Sequence, residues 1–130
     1  MTEAPRYVLD ASALIATLGD EPGGELVEPL LEGALVSSVN WAEVLQSYEA
    51  AGLPLAGRLE QIESLGVTMH PFDSRQAELT AGLYSRTREA GLGIADRACL
   101  ALALDRGAQP VTADRAWAKV DVGVDVRLIR

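Results

Sequence analysis

The sequence predicts an α/β protein in which a central parallel sheet is covered by helices on both faces. Three observations predict it. Short apolar runs alternate with helical segments from one end to the other. The helical segments are long enough to cross from the end of one strand to the start of the next. Residues 94–105, finally, carry apolar side chains on nearly every side (Ala95, Ala98, Cys99, Leu100, Ala101, Leu102, Ala103, Leu104), the pattern of a helix packed in an interior.

Each element has a local reason. Arg6-Tyr7-Val8-Leu9, bounded by Pro5 and Asp10, reads as a buried strand. Residues 11–18 read as a helix closed by Gly19 and the turn around Glu21-Pro22-Gly23-Gly24. Residues 25–32 are amphipathic and helical, bent or split at Pro29. Residues 34–37 form a second strand. A helix over 40–51 ends at Gly52, and another spans 54–64 with Pro54 near its start, where a missing N–H matters least. Val67-Thr68-Met69 is the third strand. Asp73 caps a long helix to about residue 90, with Gln76 in the capping-box position. Gly91-Leu92-Gly93 breaks the chain before the apolar helix, which Gly107 stops. Residues 110–112 and 124–129 complete the set as two more strands. No internal repeat or low-complexity segment interrupts the pattern.

With 130 residues the chain suits one domain, 1–130, since single cores commonly enclose roughly 100–150 residues. Hydrophobic residues at 48% and charged residues at 23% exclude a disordered chain. Cys99 is the only cysteine, which excludes an internal disulfide and fits a reducing compartment. No apolar run approaches the ~18 residues of a membrane span. Residues 1–6 include Glu3 and lack a basic stretch followed by a long apolar one, so a cytoplasmic protein is expected. Eleven Lys and Arg against 19 Asp and Glu give 11 − 19 = −8, which excludes a broad basic face neutralising phosphates.

Four acids stand out against that background. Asp10 and Asp114 directly follow apolar strand runs, and in an open parallel sheet ligands bind beyond the carboxyl ends of the strands. An Asp at such a junction also serves as a helix N-cap. Asp96 lies in the first turn of the apolar helix, where the helix dipole alone stabilises an anion, yet docking against the sheet would partly desolvate it. Glu43 shares a polar stripe with Asn40 and Ser47, a spacing that equally describes a solvated helix face. Brought together, two carboxylates about 4 Å apart repel by about 4 kcal/mol at an effective dielectric near 20, so four require a cation. His70 and Cys99 are single residues of their types, too few for a zinc cluster. Oxygen donors alone point to Mg²⁺ or Mn²⁺, presented to a phosphate or to a water.

These residues resemble a known family. Val8-Leu9-Asp10-Ala11-Ser12-Ala13-Leu14, Ser37-Ser38-Val39-Asn40-Trp41-Ala42-Glu43-Val44, Leu92-Gly93-Ile94-Ala95-Asp96-Arg97 and Val111-Thr112-Ala113-Asp114-Arg115-Ala116-Trp117 occur in the order found in PIN-domain ribonucleases. Within that family the chain is similar to the small VapC-type toxins of toxin–antitoxin pairs, and its closing Gly123-Val124-Asp125-Val126-Arg127-Leu128-Ile129 looks like the family's last strand. The resemblance implies a three-layer α/β/α sandwich. It implies a site in which Asp10, Glu43, Asp96 and Asp114 gather Mg²⁺ or Mn²⁺, with Ser12 and Thr112 as hydroxyl neighbours and Asn40 in support. Asp10 and Asp96 are the principal ligands on that analogy, Asp114 an outer or second-ion ligand, and Glu43 an orienter of water or metal. The implied activity is hydrolysis of RNA by a metal-bound water, with the 3′-oxygen leaving. The implied partners are RNA, a second copy of the chain, and a VapB-like antitoxin whose basic tail approaches the acidic crevice. Arg115 stands where family toxins often have an acid, and with Arg97 it is a possible substrate contact; an exposed arginine more commonly forms a surface ion pair.

Other classes fit the residues less well. A non-catalytic metal-binding signalling or adhesion module is the main alternative. A phospho-acceptor domain needs a lysine after a late strand, and Lys119 follows a helical segment; an adhesion site of the form Asp-x-Ser-x-Ser is broken by Leu14. An aspartyl-phosphate phosphatase needs Asp-x-Asp, and Ser12 replaces the second acid. Trp41 and Trp117 are expected to pack rather than stack on bases, Cys99 to be a buried small hydrophobe, and His70 to take no part in the site.

Overall fold

The computed structural model describes residues 4–130. Its elements run β1 (Tyr7–Leu9), α1 (Ala11–Leu18), α2 (Gly24–Val27), β2 (Leu35–Ser37), α3 (Ser38–Ala50), α4 (Arg58–Ser64), β3 (Thr68–His70), α5 (Ser74–Ala81), α6 (Tyr84–Thr87), α7 (Ile94–Arg106), β4 (Gln109–Thr112) and β5 (Arg127–Leu128). Tight 3-10 turns follow α2 at Glu28–Leu30, α6 at Arg88–Ala90 and β4 at Arg115–Lys119. All strand pairs are parallel, in the order β3-β2-β1-β4-β5.

Side chains on the strands alternate between two separate cores. Leu9, Val36 and Val111 face one, with Leu14 of α1, Val27 of α2, Trp41 and Val44 of α3 and Ile62 of α4. Val8 and Leu35 face the other, with Cys99, Leu100 and Leu102 of α7, Leu83, Leu92 and Trp117. A sheet buried on both faces with helices on each side is the three-layer α/β/α sandwich expected from the alternation. Pro110 is tolerated in β4 because its missing N–H falls on the side of β5, whose pairing starts only at Val111↔Arg127. Residues on the other side keep the β1 ladder, as in Gln109 N–H to the Arg6 carbonyl at 2.8 Å. No helix among the described residues is long and apolar enough to cross a membrane.

Several boundaries differ from the sequence reading. The helix expected over 73–90 is two short helices and a 3-10 turn: α5 ends at Ala81, and Leu83 turns into the second core at 3% exposure. Asp73 does cap α5, accepting the Gln76 N–H at 2.9 Å. The helix expected from Pro54 starts at Arg58, because Gly57 holds φ 85° and caps it. That expected from Asn40 starts at Ser38, with the Ser37 hydroxyl accepting the Val39 N–H. Residues 25–32 hold one helical turn before the 3-10 turn containing Pro29, and only Arg127–Leu128 of the last run pairs. Trp41, Trp117 and Cys99 are buried as expected. His70 sits at the end of edge strand β3, its ring engaged by Pro71 and Arg106.

Candidate active site

The strand order reverses between β1 and β4. The chain lays down β1, β2 and β3 toward one edge, then returns to place β4 on the free side of β1. Beyond the carboxyl ends of these two strands the connecting segments part, and the crevice that opens there is where ligands bind in open α/β sheets. Asp10 leaves β1 at this point and Asp114 follows β4.

Asp10 is built in firmly. Only 5% exposed, it is the N-cap of α1: Oδ1 accepts the Ala13 N–H at 2.8 Å and the Ser12 hydroxyl at 2.7 Å. The Thr112 hydroxyl donates to Oδ2 at 2.5 Å from across the β1–β4 junction. Both hydroxyls serve twice, since Ser12 Oγ accepts the Ala113 N–H and Thr112 Oγ1 accepts the Asp114 N–H. Burial is the stronger influence on the carboxyl: desolvation raises its pKa from 3.8 to about 6, against the lowering effect of Thr112, Ser12 and Ala13, and the negative charge of Asp96 adds to the rise.

Asp96 is the third residue of α7, and its Oδ2 accepts the Gly93 N–H at 2.9 Å, the return half of a capping box. It is half-buried and also raised in pKa, first by desolvation; the Gly93 N–H and Arg97 lower it, and Asp114 raises it. Asp114 is exposed and caps the 3-10 turn after β4, accepting the Ala116 N–H at 2.9 Å. Glu43 is exposed on α3. Asn40, one turn earlier and buried, donates from Nδ2 to Glu43 Oε1 at 3.4 Å and to the Ala95 carbonyl at 3.0 Å. That amide ties the acid-bearing face of α3 to the first turn of α7.

Asp10, Glu43, Asp96 and Asp114 therefore line one cavity of about 440 Å³, with Ser12 on its wall. The caps expected of Asp10 and Asp114 are real, and they fix the carboxylates without consuming them: Asp10 Oδ1 already accepts two bonds, but Asp10 Oδ2 and both Asp114 oxygens keep a free lone pair. The two ion pairs among the described residues, Arg75–Asp105 and Arg130–Glu21, lie elsewhere. Two arginines singled out in the sequence are engaged away from this cavity. Arg97 donates to the Leu92 carbonyl at 2.7 Å, stacks over Tyr84 and lines a separate hollow with Phe72, Thr80 and Ile94. Arg115 donates from Nε to the Arg130 carbonyl at 3.3 Å. Gln46, Ala50 and Ile15 also line the cavity, and the sequence reading did not single them out. The signal was present: Glu43, Gln46, Ser47 and Ala50 recur at i, i+3, i+4 and i+7.

The donor set is all oxygen and negatively charged, with no ion pair on it among the described residues, which fits a hard divalent cation. Among the described residues no three His, Cys, Asp or Glu side chains form a ready ligand group about one point.

The chain is thus a parallel α/β/α sandwich with four carboxylates lining one cavity at the sheet's reversal point. The chain belongs to the PIN domain family, whose model matches residues 7–123. Solved structures share the fold. A toxin–antitoxin complex from Klebsiella pneumoniae aligns at TM-score 0.68 and 18% identity, over 91% of this chain and 92% of that one. DNA-bound VapBC from Salmonella typhimurium aligns at 0.68 and 18%, over 96% and 98%. FitAcB from Neisseria gonorrhoeae aligns at 0.64 and 24%, over 95% and 96%. No curated protein sequence matches the chain.

Proposed function

We propose that this PIN domain, spanning 1–130, is a VapC-type toxin: a Mg²⁺- or Mn²⁺-dependent endoribonuclease that hydrolyses RNA phosphodiester bonds in the cytoplasm. The observation that carries the reading is the convergence of Asp10, Glu43, Asp96 and Asp114, from four separated segments, on one cavity at the sheet's reversal point. Asp10 and Asp96 would hold a divalent ion, with Asp114 as an outer or second-ion ligand, and that ion would supply positive charge for the phosphate and acidify water. Ser12 and Thr112 fix the Asp10 carboxylate, the Gly93 N–H fixes Asp96, and Asn40 fixes Glu43. Glu43 orients the attacking water by accepting its hydrogen bond. The water oxygen forms a bond to phosphorus and gives up a proton to bulk water, while the bond from phosphorus to the 3′-oxygen breaks, that oxygen keeping the electron pair and taking a proton from solvent.

The partners follow from charge and from the structural neighbours. At −8 the chain repels free RNA at long range, and an antitoxin with a basic tail matches the acidic crevice. The neighbours include toxin–antitoxin and VapBC complexes. A homodimer is the expected free form. RNA cleavage with Mg²⁺, with EDTA, and by Asp10→Ala and Asp96→Ala tests the activity. Cleavage by the wild type with Mg²⁺ alone is expected; equal cleavage in all four conditions refutes it.

A further inference from the structure

The cavity does not end at the carboxylates. It continues between α1 and α3, where Ile15 and Ala50 supply apolar wall and Gln46 and Ser47 supply polar groups. One geometric fact makes this a single compound surface. Along α3, Glu43, Gln46, Ser47 and Ala50 fall on one stripe, while Trp41 and Val44 on the other side are buried in the core. Asp10 and Ile15 bracket the start of α1 in the same way, with Ser12 between them on the cavity wall. A strand whose phosphate lies at the acidic end therefore has its neighbouring nucleoside directed along the α1–α3 side or away from the protein.

The chemistry of that side matches a nucleobase better than a second phosphate or a sugar. No Lys or Arg lines the cavity, so nothing there neutralises another anion. An unpaired base presents an apolar face and a polar edge, and single-stranded RNA is read by splaying bases out and bonding their edges. Ile15 and Ala50 suit the face. The Gln46 amide offers an acceptor and two donors to the edge, the combination used for bidentate base recognition. The Ser47 hydroxyl hydrogen is already given to the Val44 carbonyl at 2.6 Å, so its oxygen remains as an acceptor. At about 440 Å³ the whole cavity is of a size that holds a nucleotide-scale ligand, about 300–1,000 Å³ being usual.

We infer that Gln46 and Ser47, walled by Ile15 and Ala50, form a subsite that takes the base adjoining the scissile phosphate and sets the base preference of cleavage. This rests on the ribonuclease reading above. Gln46 is exposed, so its substitution leaves the fold intact.

The test uses a randomised single-stranded RNA pool cut by wild type, Gln46→Leu and Gln46→Glu, with cleavage ends mapped by sequencing. A parallel arm measures binding of the four tetranucleotides rA4, rC4, rG4 and rU4 to the same proteins in EDTA. Wild type is expected to prefer one base at a position next to the cut. Gln46→Leu flattens that preference by about tenfold, the worth of one bidentate contact. Gln46→Glu, acceptor-only, moves it toward guanine, whose N1–H and N2–H both donate. Unchanged preference in both variants overturns the subsite, and is the outcome expected if a protein segment rather than a base occupies this stretch. If wild type cuts nothing, the ribonuclease reading fails. Base-dependent binding altered by the Gln46 variants would then still support the subsite, and base-independent binding would overturn it.

Discussion

Replacing Asp10 by Asn isolates the electrostatic cost of the site. The carboxyl is buried, and its pKa in the folded chain is about 6 against 3.8 for the ordinary value. Between those two values the native state holds a proton that the unfolded chain has released. Stability from this group is therefore fully present below pH 3.8 and is lost as pH rises through 6. The rise from 3.8 to about 6 corresponds to about 3 kcal/mol. Asparagine removes the charge and keeps the shape: its carbonyl accepts from Ala13 and Ser12 as Oδ1 does, and its N–H₂ donates to Thr112 Oγ1, whose hydrogen turns to Ser12 Oγ at 3.3 Å. Weaker neutral hydrogen bonds offset part of the gain, leaving about 1–3 kcal/mol. For 130 residues this is roughly 4–11 °C in melting temperature. Thermal unfolding in EDTA from pH 4 to 7.5 measures it. The difference between Asp10→Asn and wild type should be small at pH 4, grow through pH 6 and level off by pH 7.5. A variant that melts at or below wild type throughout, with no pH-dependent difference, refutes the claim that Asp10 is buried without a cation.

Other outcomes follow from the same contacts. Asp96→Asn, at a half-buried position, should raise the metal-free melting temperature by less than Asp10→Asn does and abolish RNA cleavage. Millimolar Mg²⁺ or Mn²⁺ should raise the wild-type melting temperature by linkage and leave Asp10→Asn unmoved; an equal shift in both places the ion elsewhere. Thr112→Val keeps the shape of a buried side chain but removes the donor to Asp10 and the acceptor for the Asp114 N–H, costing about 1–3 kcal/mol in urea unfolding. Gly24→Ala places a methyl 2.4 Å from the Ala16 carbonyl oxygen, so α1 and α2 must separate; a loss of about 1–3 kcal/mol is expected in the same assay.

Much of this arrangement was legible in the sequence because its determinants are local. Tyr7-Val8-Leu9-Asp10 announces a strand followed by a cap, and the cap geometry is what was found. The all-apolar face of 98–103 announces an interior helix, and those residues are buried. What the sequence concealed was set by tertiary packing. Leu83 and Leu92 belong to the second core, and burying both requires the chain to turn after Gly82, which no helical periodicity over 73–90 records. Ser37 and Ser38 pass from strand to helix without a loop, because the Ser37 hydroxyl caps α3 while its backbone still pairs with His70. The four acids were recognisable by position, but their spacing within the cavity depends on Asn40 reaching from α3 to Ala95, a contact 55 residues distant. The partners of Arg97 were likewise hidden in the sequence: its guanidinium donates to the Leu92 carbonyl and stacks over Tyr84.

The position of β1 in the middle of the sheet imposes an order on synthesis. Its second edge stays open until residues 109–112 have emerged, and Asp10 gains its Thr112 partner only from 102 positions further along the chain. At about 5–20 residues per second, a ribosome needs about 5–20 s to cover that interval. Even after Asp96 has been made the site lacks Thr112 and Asp114, which a polypeptide cut short before β4 never gains. An unfinished chain therefore cannot complete the cavity, whichever of its other acids are already in place.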